Sequence, residues 1–199
     1  MKMPTIKYLI ALLNLPRLLL HIIFFHKHYD VCKEDVRVGI KQREWECSPF
    51  KGFIYLLVFD KTFRNLFYWR IGNAKYLMWY WLKPHPCFTL ATDMKAAPGF
   101  LCIHPFATTV NANSIGENFT VKHCVTVGKK GGEGKDRPTI GKNVTINCNS
   151  VVVGDISIGD NVVIGAGTVL TKSVPANCTV VGNPAFILKR DGKIVKEKL

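Results

Sequence analysis

Two of the six histidines in this 199-residue chain fall in its repetitive second region, His104 in LCIHPF and His123 in VKHCV. An imidazole takes and returns protons near neutral pH more readily than any other side chain, so both are candidates for general acid–base work. His104 stands between an aliphatic residue and a proline, a setting that equally suits a satisfied structural histidine. His21, His26, His28 and His85 lie outside the repeat and are not expected to act. A base histidine needs a carboxylate to fix its tautomer. The nearest acid upstream of His104 is Asp93, in ATDMKAAPGF, with a solvated or turn-capping role as the alternative. Asp136 and Arg137 close the glycine-rich segment GKKGGEGKDRPT. There a guanidinium can orient an acceptor through charge-assisted hydrogen bonds, or simply be solvated. The seven cysteines include no CxxC and no Cys/His pair with zinc spacing, which predicts reduced and mostly buried thiols.

What must hold these groups is a repeat. Ile140, Ile146, Val152, Ile158, Ile164 and Leu170 fall six residues apart, matching neither the 3.6-residue beat of a helix nor the alternation of a strand. A second series runs Ile103, Thr109, Ile115, Val121, Val127, with Thr109 its weak member. Between Val127 and Ile140 the spacing is one residue more than two repeats, so the charged, glycine-rich segment there reads as a loop thrown out of a regular stack. Six residues suit a short strand plus a turn. One aliphatic side chain points inward, while Gly, Asn and Asp in IGKN, IGDN and IGAG let the chain bend. Three such units close a coil, and coils stack at about 4.8 Å. The beat of six therefore predicts a β-solenoid.

Residues 1–88 use a different vocabulary, rich in Leu, Phe, Tyr and Trp at helical spacing, as in DKTFRNLFYWRIGNAKYLMWYWLKPHP. They read as a helical N-terminal region, residues 89–190 as the solenoid, and residues 191–199 as a basic tail. Within IKYLIALLNLPRLLLHIIFFHKH, Asn14, Pro16, Arg17 and His21 interrupt the apolar run. Two short amphipathic helices, packed on the protein or on a membrane surface, fit better than a spanning helix. A formal charge of +13 favours acidic partners. No recognition helix or RNA-binding motif is visible, so nucleic acid is not expected; phosphorylated ligands or an anionic membrane surface account for the charge.

The repeat, its excursion and the terminal VGNPAFILK together resemble the hexapeptide-repeat acyltransferases. That resemblance implies a mostly β fold, a left-handed parallel β-helix preceded by a small helical region. The path FLCIHPFATTVNANSIGENFTVKHCVTVG, then loop, then PTIGKNVTINCNSVVVGDISIGDNVVIGAGTVL is similar to serine acetyltransferases and to O-acetyltransferases of capsule and exopolysaccharide synthesis. The long helical domain of serine-dedicated enzymes is missing.

Several expectations follow from the resemblance alone. Acetyl-CoA is the cosubstrate, no metal is used, and His104 is the general base for a hydroxyl attacking the thioester, with His123 as its competitor in the substrate site. Asp136 and Arg137 match a DR element that helps hold the acceptor. The histidine that normally follows the arginine is absent, and Ile103 replaces the usual acid before the catalytic histidine; both departures weaken a serine acceptor. The carboxylate partner of serine enzymes falls nearer Thr89 than Asp93. Backbone groups around Cys148 and Ala166 face the pantetheine arm, Gly165, Gly167 and Lys172 continue that wall, and Lys189 or Arg190 meets the CoA phosphates. The glycines serve corner geometry as well. The expected assembly is a homotrimer, cytoplasmic, with peripheral contact at the inner face of the membrane as a further option.

The leading activity on this reading is O-acetylation of a sugar in surface-glycan synthesis. Serine O-acetyltransferase is the alternative, and a non-catalytic scaffold is a third reading because fold does not dictate activity. A γ-type carbonic anhydrase on the same fold needs three metal-binding histidines, and the repeat holds two.

Overall fold

A computed structural model describes residue 13 and residues 15–131 and 136–199. The chain divides into two compact units, Met1–Pro86 and Cys87–Leu199.

The first unit is helical. Helix α1 (Leu15–Lys27) carries Pro16 in its first turn, where a missing N–H leaves no hydrogen bond unmade. The expected helix before it lies outside the described residues. In α2 (Tyr29–Gln42) the buried residues Cys32, Asp35, Val36, Gly39 and Ile40 repeat at helical spacing and form one face. Ser48 caps α3 (Pro49–Phe59), its hydroxyl accepting from the Lys51 N–H at 3.4 Å. Asp60 caps α4 (Lys61–Ile71), Oδ1 accepting from the N–H groups of Thr62 at 2.8 Å and Phe63 at 3.0 Å. The core is aromatic: Phe25 stacks on Phe53 with centroids 4.1 Å apart, and Phe67 meets Phe53 edge-on at 5.2 Å.

Two buried charges tie these helices. Asp35 accepts from Arg70 Nε at 2.9 Å and Nη2 at 3.2 Å, joining α2 to α4. Arg64 donates to the carbonyls of Leu57 at 2.6 Å, of Val58, and of Lys83 at 2.8 Å. Two of those carbonyls belong to the end of α3, where the helix itself supplies no partners. A short 3-10 helix, Gly72–Leu77, follows α4. Among the described residues, no helix is long and apolar enough to cross a membrane.

The second unit is a parallel β-solenoid. Its first coil is β1 (Phe88–Leu90), β2 (Lys95–Ala96) and β3 (Leu101–Cys102); its second is β4 (Thr108–Val110), β5 (Ser114–Ile115) and β6 (Thr120–Val121). The third is β7 (Thr126–Gly128), β8 (Thr139–Ile140) and β9 (Thr145–Ile146), and the fourth β10 (Val151–Val153), β11 (Ser157–Ile158) and β12 (Val163–Ile164). The fifth comprises β13 (Val169–Leu170), a bridge at Val174 and β14 (Cys178–Val181). Every third strand pairs, which gives three sheets: β1-β4-β7-β10-β13, β2-β5-β8-β11, and β3-β6-β9-β12-β14. The aliphatic column from Ile140 to Leu170 is the core, each member at most 3% exposed.

The earlier series needs a correction of one register. Thr109 is exposed beside Thr126, and Val110, fully buried, pairs with Val127. Cys102 pairs with Val121, so Cys102 rather than Ile103 holds the inward row. The inward positions therefore run Cys102, Val110, Ile115, with a step of eight followed by one of five. Constant spacing hides such a paired insertion and deletion.

One corner, between the second and third sheets, is built by a stack of asparagines. Asn118, Asn143, Asn161 and Asn177 are all left-handed, with φ of 55–59°, and each side-chain amide donates to the next along the stack at 2.9–3.1 Å. Asparagine tolerates that conformation better than other residues with a Cβ. At the mouth of the same corner a Cβ on Gly159 would lie 2.5 Å from the backbone nitrogen of Ala176. Gly159→Val is thus expected to cost about 1–3 kcal/mol through overpacking against backbone that cannot move aside. A urea midpoint equal to the parent's contradicts this account of the corner.

Residues 191–199 are not a loose tail. β15 (Phe186–Arg190) pairs antiparallel with β14, and β16 (Lys193–Lys198) pairs with β15. The cysteines are free as expected, but only Cys32 and Cys178 are buried, Cys87 is exposed and the other four are intermediate. Burial, helped by the Asp35 carboxylate, pushes the Cys32 thiol up to about 12, so it stays protonated and inert.

Candidate active site

The site residues read from sequence fall on two different edges of the solenoid. The edge between the third and first sheets carries His104 in the β3–β4 corner, His123 in β6–β7, Cys148 in β9–β10, and Ala166 with Gly167 in β12–β13. Backbone hydrogen bonds stack these corners: Cys124 N–H to the Phe106 carbonyl at 2.8 Å, Asn149 to His123 at 3.2 Å, and Gly167 to Cys148 at 2.9 Å. At one coil per about 4.8 Å, the row from His104 to Ala166 extends about 14 Å.

The His104 corner is where the register slips. Eight residues separate the inward positions Cys102 and Val110, against six at the three corners stacked on it. The extra two residues let the corner stand out from the edge. His104 and Ala107 adopt φ of 48° and 47°, uncommon for residues with a Cβ. Thr108, 1% exposed, holds the bulge from beneath: its hydroxyl lies 3.0 Å from the Phe106 carbonyl and 3.2 Å from that of Lys122. A hydroxyl carries one proton, so these two oxygens compete for it. Pro105 is buried, whereas His104 and Phe106 are exposed, Phe106 by 58%. His123 is also exposed, one coil away. Two imidazoles and an aromatic ring therefore line the start of a row whose later members, Ala166 and Gly167, are small. A Cβ on Gly167 meets nothing within 4 Å, so that corner is open; one on Gly165 would press on Val181 at 2.7 Å, so that glycine serves packing.

The edge between the first and second sheets carries Asp93 in β1–β2, Asn111 and Asn113 in β4–β5, and Arg137 just before β8. Arg137 Nη1 donates to Asp93 Oδ1 and to Asn111 Oδ1, both at 2.9 Å, and lies 2.8 Å from Asp93 Oδ2. Its own carbonyl accepts from Asn113 Nδ2 at 2.7 Å. The guanidinium is 15% exposed and Asp93 67%, so this is a half-buried arginine steered by a solvated carboxylate. Asp136 is exposed beside it.

This placement corrects one expectation. Within one chain Asp93 is the partner of Arg137 and not the carboxylate of His104, because the two lie on different edges. Among the described residues, His104 makes no ion pair. Asn111, Asn113, Phe106 and Thr108 were missed in the sequence, because nothing in the run FATTVNANS shows that neighbouring coils bring these side chains beside Arg137 and the His104 corner.

The last coil holds the remaining candidates. Lys172 Nζ donates to the Leu199 carbonyl at 2.5 Å, and both line a cavity of about 280 Å³ with Leu170, Asn183 and Pro184. Arg190 is held by Glu197 at 2.5 Å across the terminal hairpin, while Lys189 is exposed. Among the described residues, no group of three or more His, Cys, Asp or Glu could hold a metal ion.

Comparison with known proteins agrees with the solenoid fold. Residues 137–172, from Arg137 through the fourth coil to Lys172, match the bacterial transferase hexapeptide (six repeats) family. Serine acetyltransferase of Staphylococcus aureus strain Mu50 is 49% identical over 80 residues, covering 40% of this chain and 38% of that protein. WcaB of Escherichia coli strain K12, named for an acetyltransferase step of colanic acid biosynthesis, is 41% identical over 89 residues, covering 44% of this chain and 55% of its own length. The chain thus spans less than two thirds of the length of either relative. The crystal structure of Neisseria gonorrhoeae serine acetyltransferase superposes with a TM-score of 0.66 at 26% identity, covering 90% of this chain and 70% of that one. The family match takes in Arg137, Cys148, Ala166 and Lys172 but not Asp93, His104 or His123, and over these coils the chain is similar to hexapeptide-repeat transferases, among them proteins named for serine acetylation and for colanic acid biosynthesis.

Proposed function

We propose that the protein transfers acetyl from acetyl-CoA to a hydroxyl, with a sugar of a surface-glycan precursor as acceptor. The observation that carries this reading is the enlarged corner at His104, which holds an exposed imidazole at the head of a row of stacked corners ending in small residues.

His104 takes the proton of the acceptor hydroxyl as its oxygen attacks the thioester carbonyl. The tetrahedral intermediate collapses by breaking the C–S bond, and the imidazolium returns the proton to the departing thiolate. An ester and CoA thiol result, and no acyl-enzyme is needed. His123, one coil away, hydrogen-bonds the acceptor. The wall of Cys148, Ala166 and Gly167 admits the pantetheine arm closely because no large side chain rises from it. In the last coil the exposed Lys189 supplies positive charge for phosphates, and Lys172 and Arg190 join it by leaving the Leu199 carbonyl and the Glu197 carboxylate.

Arg137, on the other edge, holds the acceptor through charge-assisted hydrogen bonds, with Asp93 and Asn111 fixing its fork. Arg137 and His104 act on one acceptor only if edges of two copies meet. A homotrimer with three such clefts supplies that arrangement.

Serine as acceptor is the second reading, favoured by the identity to serine acetyltransferases and opposed by Ile103 and by the missing histidine after Arg137. Thiol release from acetyl-CoA separates the two. Nucleotide-linked or lipid-linked sugars are expected to drive turnover and serine to leave it near background. Fast release with serine reverses the order, and absence of CoA binding in a calorimetric titration removes both.

A further inference from the structure

We propose that the turn at residues 76–81 of the helical unit is an interfacial anchor for an anionic lipid bilayer. The turn is pinned from below and bare above. Met78 is fully buried, and Leu82 packs against the aromatic core. Tyr68 donates its hydroxyl to the Leu82 carbonyl at 2.9 Å, and Arg64 Nη1 donates to the Lys83 carbonyl at 2.8 Å. Between these pins Tyr76 is 61% exposed, Leu77 64%, Trp79 48%, Tyr80 81% and Trp81 50%. Five large side chains in six residues are held outward by a fixed base, and folding of the unit gains nothing from their exposure.

Three further features select a bilayer as the occupant. The rings are Trp and Tyr, whose apolar bodies and polar tips favour the headgroup level of a membrane. The backbone of the turn is largely satisfied internally, Met78 and Trp79 N–H groups reaching the Lys75 carbonyl at 3.0 and 2.8 Å and Trp81 reaching Met78 at 3.1 Å. Little hydrogen bonding is therefore forfeited on leaving water. Charge is complementary: no Asp or Glu occurs between Asp60 and Asp93, Lys75 and Lys83 flank the rings, and the first 86 residues carry fourteen Lys and Arg against six Asp and Glu. Stems of such lysines lie along the apolar layer while their ammonium groups meet anionic headgroups. Five partly exposed side chains offer at most roughly 600 Å², short of the about 800 Å² per partner of a stable protein interface. Because no described helix spans a membrane, the contact lies at the surface.

The test uses the full chain and vesicles of phosphatidylcholine with or without phosphatidylglycerol, read by co-sedimentation and tryptophan emission. Binding to the anionic vesicles is expected, with a blue shift and with weakening as salt rises. Combined Trp79→Ser, Tyr80→Ser and Trp81→Ser lowers partitioning by about tenfold or more at unchanged far-UV circular dichroism. Lys75→Gln and Lys83→Gln each lower it by about fivefold, for anionic vesicles alone. If the triple variant misfolds, Tyr80→Ser, at the most exposed position, is read in the same way. Sedimentation of parent and variant alike, or of neither, overturns the proposal. So does a triple variant that changes the mass of the particle by light scattering while vesicle binding persists, since the turn is then a protein contact. Acetyl transfer plays no part in the readout, so this result and that of the proposed activity stand apart.

Discussion

His104→Gln lowers kcat for acetyl transfer by about 10²–10⁴-fold, the usual contribution of a positioned general base. The unfolding midpoint stays where it was, because the ring is exposed and makes no ion pair among the described residues. Glutamine keeps a hydrogen-bonding group of similar reach and removes only the proton acceptor, so a loss confined to kcat identifies proton transfer. Undiminished turnover by the variant ends the assignment. The two-edge arrangement adds a sharper form of the experiment. In a cyclic trimer whose sites take His104 from one copy and Arg137 from the next, random mixing of His104→Gln with Arg137→Met chains rebuilds about a quarter of the sites. Two individually inactive preparations that stay inactive after mixing argue against shared sites.

Arg64→Met unfolds or nearly unfolds the helical unit, with an expected loss of about 3–5 kcal/mol. Arg64 is 7% exposed, and its guanidinium donates to three carbonyls, of Leu57, Val58 and Lys83. Methionine fills much of its volume but removes the donor from the buried Leu57 carbonyl and from the part-buried carbonyls of Val58 and Lys83, and an unsatisfied buried group costs about 1–3 kcal/mol. Domains are stable by only about 5–15 kcal/mol, so one side chain carries a large share. Arg64→Lys is expected to recover little, since one ammonium cannot span the fork. Burial also disfavours the charge on Arg64, as its lowered pKa records, so the bonds are worth enough to keep it in place. Chemical denaturation followed by near-UV circular dichroism measures the loss; a shift below about 1 kcal/mol contradicts the capping role.

The solenoid was legible because its signal is periodic. From Ile140 to Leu170 one inward side chain recurs every six residues, and each is buried as the spacing requires. The same logic failed between Cys102 and Ile115, where an eight and a five nearly cancel and the mean beat survives. That failure falls at His104, and a regular repeat has no means of announcing an enlarged corner. The helical unit was legible as helix from its composition, but the caps at Ser48 and Asp60 and the carbonyl cluster around Arg64 depend on tertiary neighbours. Asp93 shows the limit most plainly. Its nearness to His104 in sequence suggested a pair, yet eleven residues carry the chain around two faces of the coil, to another edge. Separation along a solenoid is read in coils and corners before it is read in residues.

The hairpin of β15 and β16 breaks the parallel ladder after the fifth coil. A parallel ladder leaves its last strand with a full row of vacant N–H and C=O groups, an invitation to any extended segment that drifts past. Here β14 meets β15 of its own chain, running the opposite way and so unable to wind another turn. The outermost strand, β16, is wholly exposed and studded with Lys193, Lys196, Glu197 and Lys198, whose solvated charges discourage a stranger's backbone from docking. The very regularity that makes the prism easy to read would otherwise make it easy to extend from molecule to molecule, and an antiparallel, charged hairpin on this edge opposes such growth.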